Sequence, residues 1–408
     1  MVKEELKKLE EKYIDLLLKR CVNFNKSKSL LIGYDKVNKD FVEKLVIRAK
    51  ELGVTDIYLD EEDIIEKKSI LMDIKLEEID NHPYFNKSKW DEYASKDAAF
   101  IFLDTEFPHF MDNVDPKKIT KAQYVARHSR PIYRKKQLSY QIPWCITALP
   151  NEVWAQDVFK GDPNAYEKLY LSIMKFCMVD TENPVQSWDK EILKMKLFQD
   201  KLNELQIKKL WYKNSKGTDL TLELSERAVW NSAASECKDG MFVNMPSYEI
   251  FTSPDYRKTE GIVYGTRPLV YKGGIIDDFY IRFEKRKVVE FDAKVGKELL
   301  SGIINSDEGS CYLGEVALVD KETPISKSGI VTGTILLDEN ASPHLALGEG
   351  FTSAIKDIDN MSEEELKQLG LNFSTAHVDF MIGSDDLNIL ADTNKGPILI
   401  LKNGRYNL

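Results

Sequence analysis

The chain is poor in the residues on which several common kinds of site depend. Its 408 residues include only five cysteines and five histidines. The cysteines lack any Cys-x-x-Cys spacing, and they are Cys21, Cys145, Cys177, Cys237 and Cys311. An odd, scattered set predicts reduced thiols of a cytoplasmic protein and excludes a cysteine-based structural zinc site. We expect Cys311, which has no obvious partner base, to be a buried core thiol.

The sequence also lacks an excess of positive charge and a long apolar run. With a formal net charge of −10, it is an unsuitable partner for nucleic acid, whose backbone requires clustered Lys and Arg. No apolar stretch approaches the roughly 18 residues needed to cross a bilayer. The start, from Met1 to Cys21, alternates apolar and charged residues, which predicts an amphipathic helix and not a signal peptide. We therefore expect a cytoplasmic protein with neither nucleic-acid nor membrane partners.

The first part of the chain has the pattern of an open α/β domain. Apolar runs predict strands at four places: 29–34, 56–59, 98–103 and 144–148. A stretch of helical periodicity from Asp40 to Leu52, closed by Gly53, separates the first two, so this segment reads β-α-β, the unit of a parallel sheet. The turn after the first strand has no glycine cluster, which argues against a dinucleotide and so against an oxidoreductase.

The second half has a different pattern of predicted secondary structure. Residues 183–206 predict a connector helix, and short β-like runs broken by glycine follow, at 219–224, 288–291, 313–319, 333–337 and 378–382. The fold class that we predict is an α/β N-terminal domain with an open parallel sheet, plus a strand-rich α+β C-terminal domain. The predicted domains are 1–182 and 207–408, with the helix 183–206 between them.

The two histidines of the C-terminal half stand beside acidic residues. His377 and Asp379 are two apart in a predicted strand, so both side chains leave one face while Val378 faces the opposite side. This places two potential ligands at one site, although a half-buried strand with a polar, solvated face has the same pattern. His344 ends the segment 338–344, which we place in a loop after a strand; that loop could equally be a turn whose Asp338 bonds its own backbone.

Carboxylates complete the candidate set. Glu315 lies within the apolar strand 313–319, where it needs a partner or a metal unless the strand is a solvated edge. Glu249 follows in a loop bracketed by Pro246 and Pro254. Carboxylates and imidazoles are ligands suited to Zn²⁺, Co²⁺, Mn²⁺ or Mg²⁺, and so many carboxylates suggest two ions that share ligands.

Four motifs in this order carry a resemblance to a known family. They are Asn244–Asp255 (NMPSYEIFTSPD), Leu313–Val319 (LGEVALV), Asp338–Gly348 (DENASPHLALG) and His377–Gly383 (HVDFMIG). In this order the chain resembles the aminopeptidase T and aminopeptidase S family of dinuclear metallo-aminopeptidases. The similarity continues upstream through 150–156, the stretch around Pro184 and Trp188, and 217–220, and it is weakest in the first 100 residues.

The resemblance implies a homodimeric hydrolase that removes N-terminal residues from peptides by means of a metal-bound hydroxide at a dinuclear site. The positions that match the family's metal ligands are Glu249, Glu315, His344, His377 and Asp379, and Glu339 matches a further acidic position at the site. A carboxylate, Glu315 or Glu249, should carry the proton to the leaving amine. The chain departs from the pattern at Phe351, where the family usually has a site tyrosine.

Two other functions fit the same residues. The ligand set would serve a metal-dependent amidase acting on another substrate equally well. Phe351, alone, allows a non-catalytic binding protein of the same fold. The native metal and the preferred N-terminal residue are not encoded in any motif.

Overall fold

The computed structural model describes residues 2–23, 28–105, 109–138, 141–232, 244–271, 273–358 and 361–408. The chain folds as two compact units. The first is Met1–Lys190 with Glu236–Pro246, and the second is Glu191–Ser235 with Ser247–Leu408. Cys237 lies outside the described residues.

Most of the α-helices in the described residues are short, and α9 is the longest of them. In chain order they are α1 (Val2–Leu16), α2 (Lys39–Glu51), α3 (Ile64–Asp73), α4 (Ser88–Ser95), α5 (Pro116–His128), α6 (Pro131–Leu138), α7 (Glu152–Val158), α8 (Ala165–Phe176), α9 (Pro184–Glu204), α10 (Lys297–Ile304), α11 (Pro324–Ser328), α12 (Ile335–Asp338) and α13 (Glu363–Gln368). None of these helices is both long enough and apolar enough to cross a membrane.

The strands are concentrated in the second unit. In chain order they are β1 (Ser29–Asp35), β2 (Asp56–Glu62), β3 (Ala99–Asp104), β4 (Trp144–Ala148), β5 (Lys209–Lys213), β6 (Asp219–Leu224), β7 (Asn231–Ser232), β8 (Asn244–Met245), β9 (Ile250–Thr252), β10 (Pro254–Tyr264), β11 (Leu269–Tyr271), β12 (Gly274–Glu284), β13 (Lys287–Val295), β14 (Leu313–Leu318), β15 (His344–Gly348), β16 (His377–Met381), β17 (Asn388–Thr393), β18 (Gly396–Lys402) and β19 (Arg405–Tyr406).

The first unit contains a five-stranded sheet in the order β2, β1, β3, β4, β8, parallel at every pairing. Its inner strand β1 is buried from Leu30 to Asp35, as is typical of a strand paired on both sides in a parallel sheet. Trp90, Phe100 and Tyr133 pack together on this sheet as an aromatic core. The predicted open α/β domain is confirmed.

The second unit contains two sheets. The larger has nine strands, with the path β11, β12, β10, β6, β5, β17, β18, β19 and with β13 added beside β12. The smaller sheet has the order β16, β15, β14, β9, β7, and its pairings are antiparallel. The strand-rich C-terminal half that the sequence predicts is thus confirmed.

One predicted strand is wrong. Residues 333–337 do not form a strand, because Ile335–Asp338 is the short helix α12 and Glu339–Ala341 continues it as a 3₁₀ turn. The carboxylate of Asp338 accepts hydrogen bonds from the backbone amides of Thr332 (2.8 Å) and Gly333 (2.8 Å), and so folds the chain back at this point. A five-residue apolar run is too short for periodicity to separate a strand from a helix.

Candidate active site

Three adjacent strands of the smaller sheet bring the candidate residues to one face. Ala346 of β15 pairs with Glu315 on one side and with Asp379 on the other. Paired residues of antiparallel strands point to the same face, so Glu315 and Asp379 flank the small side chain of Ala346. His377 lies two residues from Asp379, on the same face, and pairs with Gly348. Ala346 therefore contributes only a methyl group to the face between the two carboxylates.

A β-bulge sets the direction of Glu315. Leu313 pairs with Leu347, but Glu315 pairs with Ala346, so Gly314 is an extra residue in β14. A Cβ atom at Gly314 would lie 2.2 Å from the carbonyl oxygen of Glu349, so only glycine fits this approach. β14 is paired on both sides, and Glu315 is 3% exposed. The alternative that Glu315 lies on a solvated edge strand is therefore wrong.

The candidate ligands form two overlapping groups of three. In one group are Glu249, Glu315 and His344, and in the other Glu315, His377 and Asp379; within each, one ligand atom from every residue lies within 4.8 Å of the others. Nε2 of His344 lies 3.1 Å from Oε2 of Glu249. Nε2 of His377 lies 3.1 Å from Oε2 of Glu315 and 3.3 Å from Oδ1 of Asp379. Glu315 belongs to both groups.

Backbone carbonyls select the tautomer of both histidines. Nδ1 of His377 lies 2.8 Å from the carbonyl oxygen of Glu349, and Nδ1 of His344 lies 3.2 Å from that of Ser342. Because a carbonyl oxygen only accepts, each Nδ1 must carry the proton and donate it. Each Nε2 is thereby directed at the carboxylates with its lone pair available to a metal, the arrangement that metal-binding histidines usually have.

Glu249 and Glu339 are held by a polar link between two segments. The backbone amide of Tyr248 donates to Oδ1 of Asn340 at 2.6 Å, and Nδ2 of Asn340 donates to the carbonyl of Leu336 at 2.9 Å. Asn340 is fully buried, so these bonds fix the residues next to it on both segments. Glu339 is not in either group of three, but it is buried beside them. The sequence shows Asn340 as one polar residue of a loop, without any sign of this partner.

The carboxylates of the site repel one another. Burial, together with the charges of Asp379 and Glu249, raises the pKa of Glu315 to about 7, although the hydrogen bond with His377 opposes this. Burial and the charges of Glu249 and Asp379 also raise the pKa of Glu339 well above its ordinary value. Without a cation, the cluster therefore tends to hold protons.

The histidines supply the positive charge that the metal-free cluster needs. Burial would lower the pKa of His344, but the hydrogen bond and the charge of Glu249 raise it to about 9. Likewise, burial would raise the pKa of Asp379, but His377 lowers it to about 2. A divalent cation at this place would replace these protons and compensate the same carboxylates.

The residues fit divalent cations in a further respect. Asp379 is 6% exposed, and Nε2 of His377 lies 3.3 Å from its Oδ1, which is long for a charge-assisted hydrogen bond. A buried carboxylate oxygen that is only weakly satisfied is costly unless a cation compensates it. Oxygen and imidazole nitrogen ligands suit the divalent ions named above.

Asp307 holds the loop that precedes His377. Its carboxylate accepts hydrogen bonds from the side chain of Ser374 (2.8 Å) and from both the amide and the hydroxyl of Thr375 (2.6 Å each). It also accepts from the amides of Gly309 and Ser310, at 2.9 Å each. This carboxylate therefore joins the segment before β14 to the segment before β16. The sequence gives no signal for it, since Asp307 is one of many acidic loop residues.

We expect Asp307→Asn to lower stability in a pH-dependent way. Burial would raise the pKa of Asp307, but the hydrogen bonds from Thr375 and its neighbours lower it. The carboxylate thus stabilises the fold above the unfolded pKa of about 3.9, and this stabilisation is lost as the pH falls through the lower folded value. At pH 7 the variant should be less stable by about 1–3 kcal/mol in urea unfolding.

The pH series supplies the test of that prediction. The difference between wild type and Asp307→Asn should shrink as the pH is lowered from 7 towards 3. Asp385→Asn is the matched control, because Asp385 is 98% exposed and pairs only with Lys321 among the described residues. A stability difference that stayed constant over the series would show that the ionised carboxylate of Asp307 does not act as described.

Two other residues singled out in the sequence have defined surroundings. The ring of Phe351 is half-buried, 5.0 Å from the ring of His377 and 5.1 Å from that of Phe251 (centroid distances).

Cys311 is half-buried and not a core residue, so the expectation of a buried core thiol is wrong. It directs its Sγ to the carbonyl of Glu308 at 3.6 Å, because it lies in the turn before β14. Burial raises the pKa of Cys311, which argues against a nucleophilic thiolate.

The chain is similar to known proteins over nearly its whole length. The family described as thermophilic metalloprotease (M29) matches residues 6–406. The chain is 35% identical to aminopeptidase AmpS of Bacillus subtilis, with 97% of each chain covered, and 30% identical to aminopeptidase T of Thermus aquaticus, covering 99% of this chain and 98% of the relative. Among solved structures, wild-type AmpT from Thermus thermophilus is 27% identical with a TM-score of 0.88, over 98% of this chain and 99% of that one.

The family match and the fold agree with the resemblance that the four motifs carry. The match spans both units, and its metalloprotease description accords with the buried cluster of carboxylates and imidazoles. The chain therefore belongs to the thermophilic metalloprotease (M29) family and is a metal-dependent peptidase.

Proposed function

We propose that this protein is an aminopeptidase that removes N-terminal residues from peptides at a site for two divalent metal ions. The observation that carries the proposal is the pair of ligand groups that share Glu315. Two groups of three with one common carboxylate would suit two ions, and Glu315 would contribute a ligand to each group. The names of the relatives, which are aminopeptidases, support the reaction.

The ligand roles follow from the contacts. Glu249 and His344 would hold one ion, and His377 and Asp379 the other, while Glu315 contributes to both. Glu339 is a further acidic group at the same cluster. When bound, the ions lower the pKa of water and polarise the scissile carbonyl. The four carboxylates also favour a substrate with a positively charged α-amino group, and hence cleavage at the N-terminus.

We assign the proton transfer to the leaving amine to Glu249. Glu315 is shared by both groups and is 3% exposed, and its Oε2 already contacts Nε2 of His377. Glu249 belongs to one group only and contacts His344 through Oε2, which leaves Oε1 for a proton. A general base must reach the reacting atoms with such an unengaged atom. With metals saturating, a loss of turnover in Glu249→Gln that exceeds its loss of metal would support this assignment, and a loss of turnover in proportion to the metal lost would make Glu249 a ligand alone.

The proposed reaction can be tested on simple substrates. Protein stripped with a chelator should not hydrolyse leucine nitroanilide, and adding back Zn²⁺, Co²⁺, Mn²⁺ or Mg²⁺ one at a time should restore hydrolysis and identify the preferred metal. N-acetyl-leucine nitroanilide is the matched control, because it lacks the free amine that the acidic site would recognise. Equal hydrolysis of both substrates, or hydrolysis only of non-peptide amides, would contradict the aminopeptidase assignment.

We further propose that the protein is a cytoplasmic homodimer. Cys21 and Cys177 are buried thiols outside any disulfide, and Cys311 is a half-buried one, which suits a reducing compartment. The dimer is inferred from the family resemblance, and light scattering on purified protein would test it. A mass near 46.9 kDa in solution would mean a monomer.

A further inference from the structure

A polar cavity lies in the second unit, and none of the six candidate metal ligands lines it. Its volume is about 500 Å³. Its charged lining consists of Lys216, Arg267, Lys321 and Asp385. The segment Ala341–Pro343 also lines it, and hydroxyl groups come from Thr266, Ser326, Ser342 and Ser384. A cavity of this size and polarity is suited to a small ligand.

Arg267 has more donors than partners. Its Nη1 donates to the carbonyl of Ile330 at 3.2 Å, and this is the one side-chain hydrogen bond that it makes among the described residues. A guanidinium carries five N–H groups, so four lack a protein acceptor there. The side chain is half-buried, and burial lowers the pKa of Arg267 against the opposing charge of Asp338. A partly desolvated cation with unused donors is satisfied by an anion.

The other charges leave the cavity positive. Nζ of Lys216 donates to the carbonyl of Gly265 at 2.7 Å and lies 3.6 Å from Asp278, which is also paired with Lys294. Nζ of Lys321 lies 3.3 Å from Asp385, whose side chain is 98% exposed. An ion pair with so exposed a carboxylate is weak and screened by solvent. The lining itself therefore carries three cations and one carboxylate, Asp385, which is almost wholly in water, while Asp278 and Asp338 offset part of this charge from outside the lining.

We propose that this cavity is a binding site for a small oxyanion, a carboxylate or phosphate group, with Arg267 as its principal contact. The planar guanidinium matches two oxygens of such a group, and Lys216 and Lys321 add charge. Two sources have this chemistry. One is a free anion, and the other is the C-terminal carboxylate of a short peptide, because the lining segment Ala341–Pro343 is followed directly by His344.

Direct binding to metal-free protein tests the site without reference to activity. Equilibrium dialysis is performed with inorganic phosphate on chelator-treated full-length chain, so that phosphate cannot bind through a metal ion. Wild type should bind one phosphate per chain, and Arg267→Gln should bind it about tenfold more weakly or worse, since the loss of a hydrogen bond between charged groups typically costs at least that factor. Arg267→Lys, which keeps the charge but loses the planar fork, should also bind more weakly than wild type.

The matched control is Arg282→Gln. Arg282 lies in the same unit and pairs with Glu290, and it does not line the cavity, so its loss removes one positive charge elsewhere. This variant should bind phosphate as wild type does. Thermal unfolding of each variant shows whether it is folded before its binding is compared.

A second arm separates the two sources of the oxyanion. The tripeptide Leu-Gly-Gly is dialysed against the same metal-free proteins as the free acid and as the C-terminal amide. Tighter binding of the acid by wild type, abolished in Arg267→Gln, would identify the peptide carboxylate as the ligand. Phosphate binding with no preference for the acid would identify a free anion. If neither phosphate nor the acid binds, or if Arg267→Gln binds both as wild type does, the proposal is overturned.

Discussion

The substitutions His377→Ala and Glu315→Gln are each expected to remove bound metal and turnover together. Glu315 belongs to both ligand groups, and Nε2 of His377 lies within 3.3 Å of two carboxylate oxygens of one of them. Loss of either side chain leaves an incomplete set of ligands. Because a bound ion contributes several kcal/mol to charge stabilisation in the transition state, we expect kcat/KM to fall by about 10³-fold or more.

Metal content distinguishes this prediction from a general loss of structure. Metal analysis and turnover on leucine nitroanilide are measured on the same samples, with Glu290→Gln as the control. Glu290 is a carboxylate of the same unit, 53% exposed on β13, where it pairs with Arg282. It should keep wild-type metal and activity. Normal metal content in both His377→Ala and Glu315→Gln would refute their assignment as ligands.

The stability of the two variants should respond to metal as well. An ion that binds only the folded chain stabilises it by mass action, by about 2.7 kcal/mol when its concentration is a hundred times its Kd. Wild type should therefore unfold at a higher temperature with added metal than after chelation. His377→Ala and Glu315→Gln should lose most of this difference, while Glu290→Gln should retain it.

The substitution Phe351→Tyr is expected to raise turnover without changing metal content. In the family that the chain resembles, a tyrosine at this position would coordinate a metal or donate its phenolic proton to the tetrahedral oxyanion, and phenylalanine does neither. The ring of Phe351 lies 5.0 Å from that of His377, next to the proposed ligands. Because one oxyanion donor is typically worth about 10²–10³ in turnover, we expect a gain of about tenfold, up to that limit.

The test of Phe351→Tyr needs saturating metal and a hydroxyl control. Phe373→Tyr adds the same hydroxyl to a half-buried ring of the same unit that packs with Leu366 and Leu371. It should leave kcat unchanged. If Phe351→Tyr also leaves kcat unchanged, another group already donates to the oxyanion. The ring of Phe351 then serves only to pack between Phe251 and His377.

Local patterns in the sequence predict the strands that form because of the residues within the strand itself. The apolar runs at Trp144–Ala148 and Asp219–Leu224 coincide with β4 and β6, because an uninterrupted or strictly alternating run can be buried in few other ways. The period of two likewise predicts that His377 and Asp379 share a face. In the structure, Val378 and Phe380 between and after them are each 1% exposed.

Patterns fail where the decisive contact is distant in sequence. The run 333–337 misleads for another reason, because it is too short for periodicity to separate the helix α12 from a strand. Asn340 reaches the amide of Tyr248, which is 92 positions away, and Asp307 reaches Thr375, 68 positions away. Nothing in the neighbouring residues signals either contact.

The sequence by itself determined the family and the fold class, and it predicted which polar residues are the candidate metal ligands. It could do so because motif order and hydrophobic periodicity depend only on the order of residues along the chain. Only the tertiary structure decided that Glu315 belongs to both ligand groups, that Gly314 forms the bulge before it, and that Nδ1 of His344 and His377 face backbone carbonyls. These features depend on strand register and on backbone groups of other segments, and register is fixed only when β14, β15 and β16 pack into one sheet.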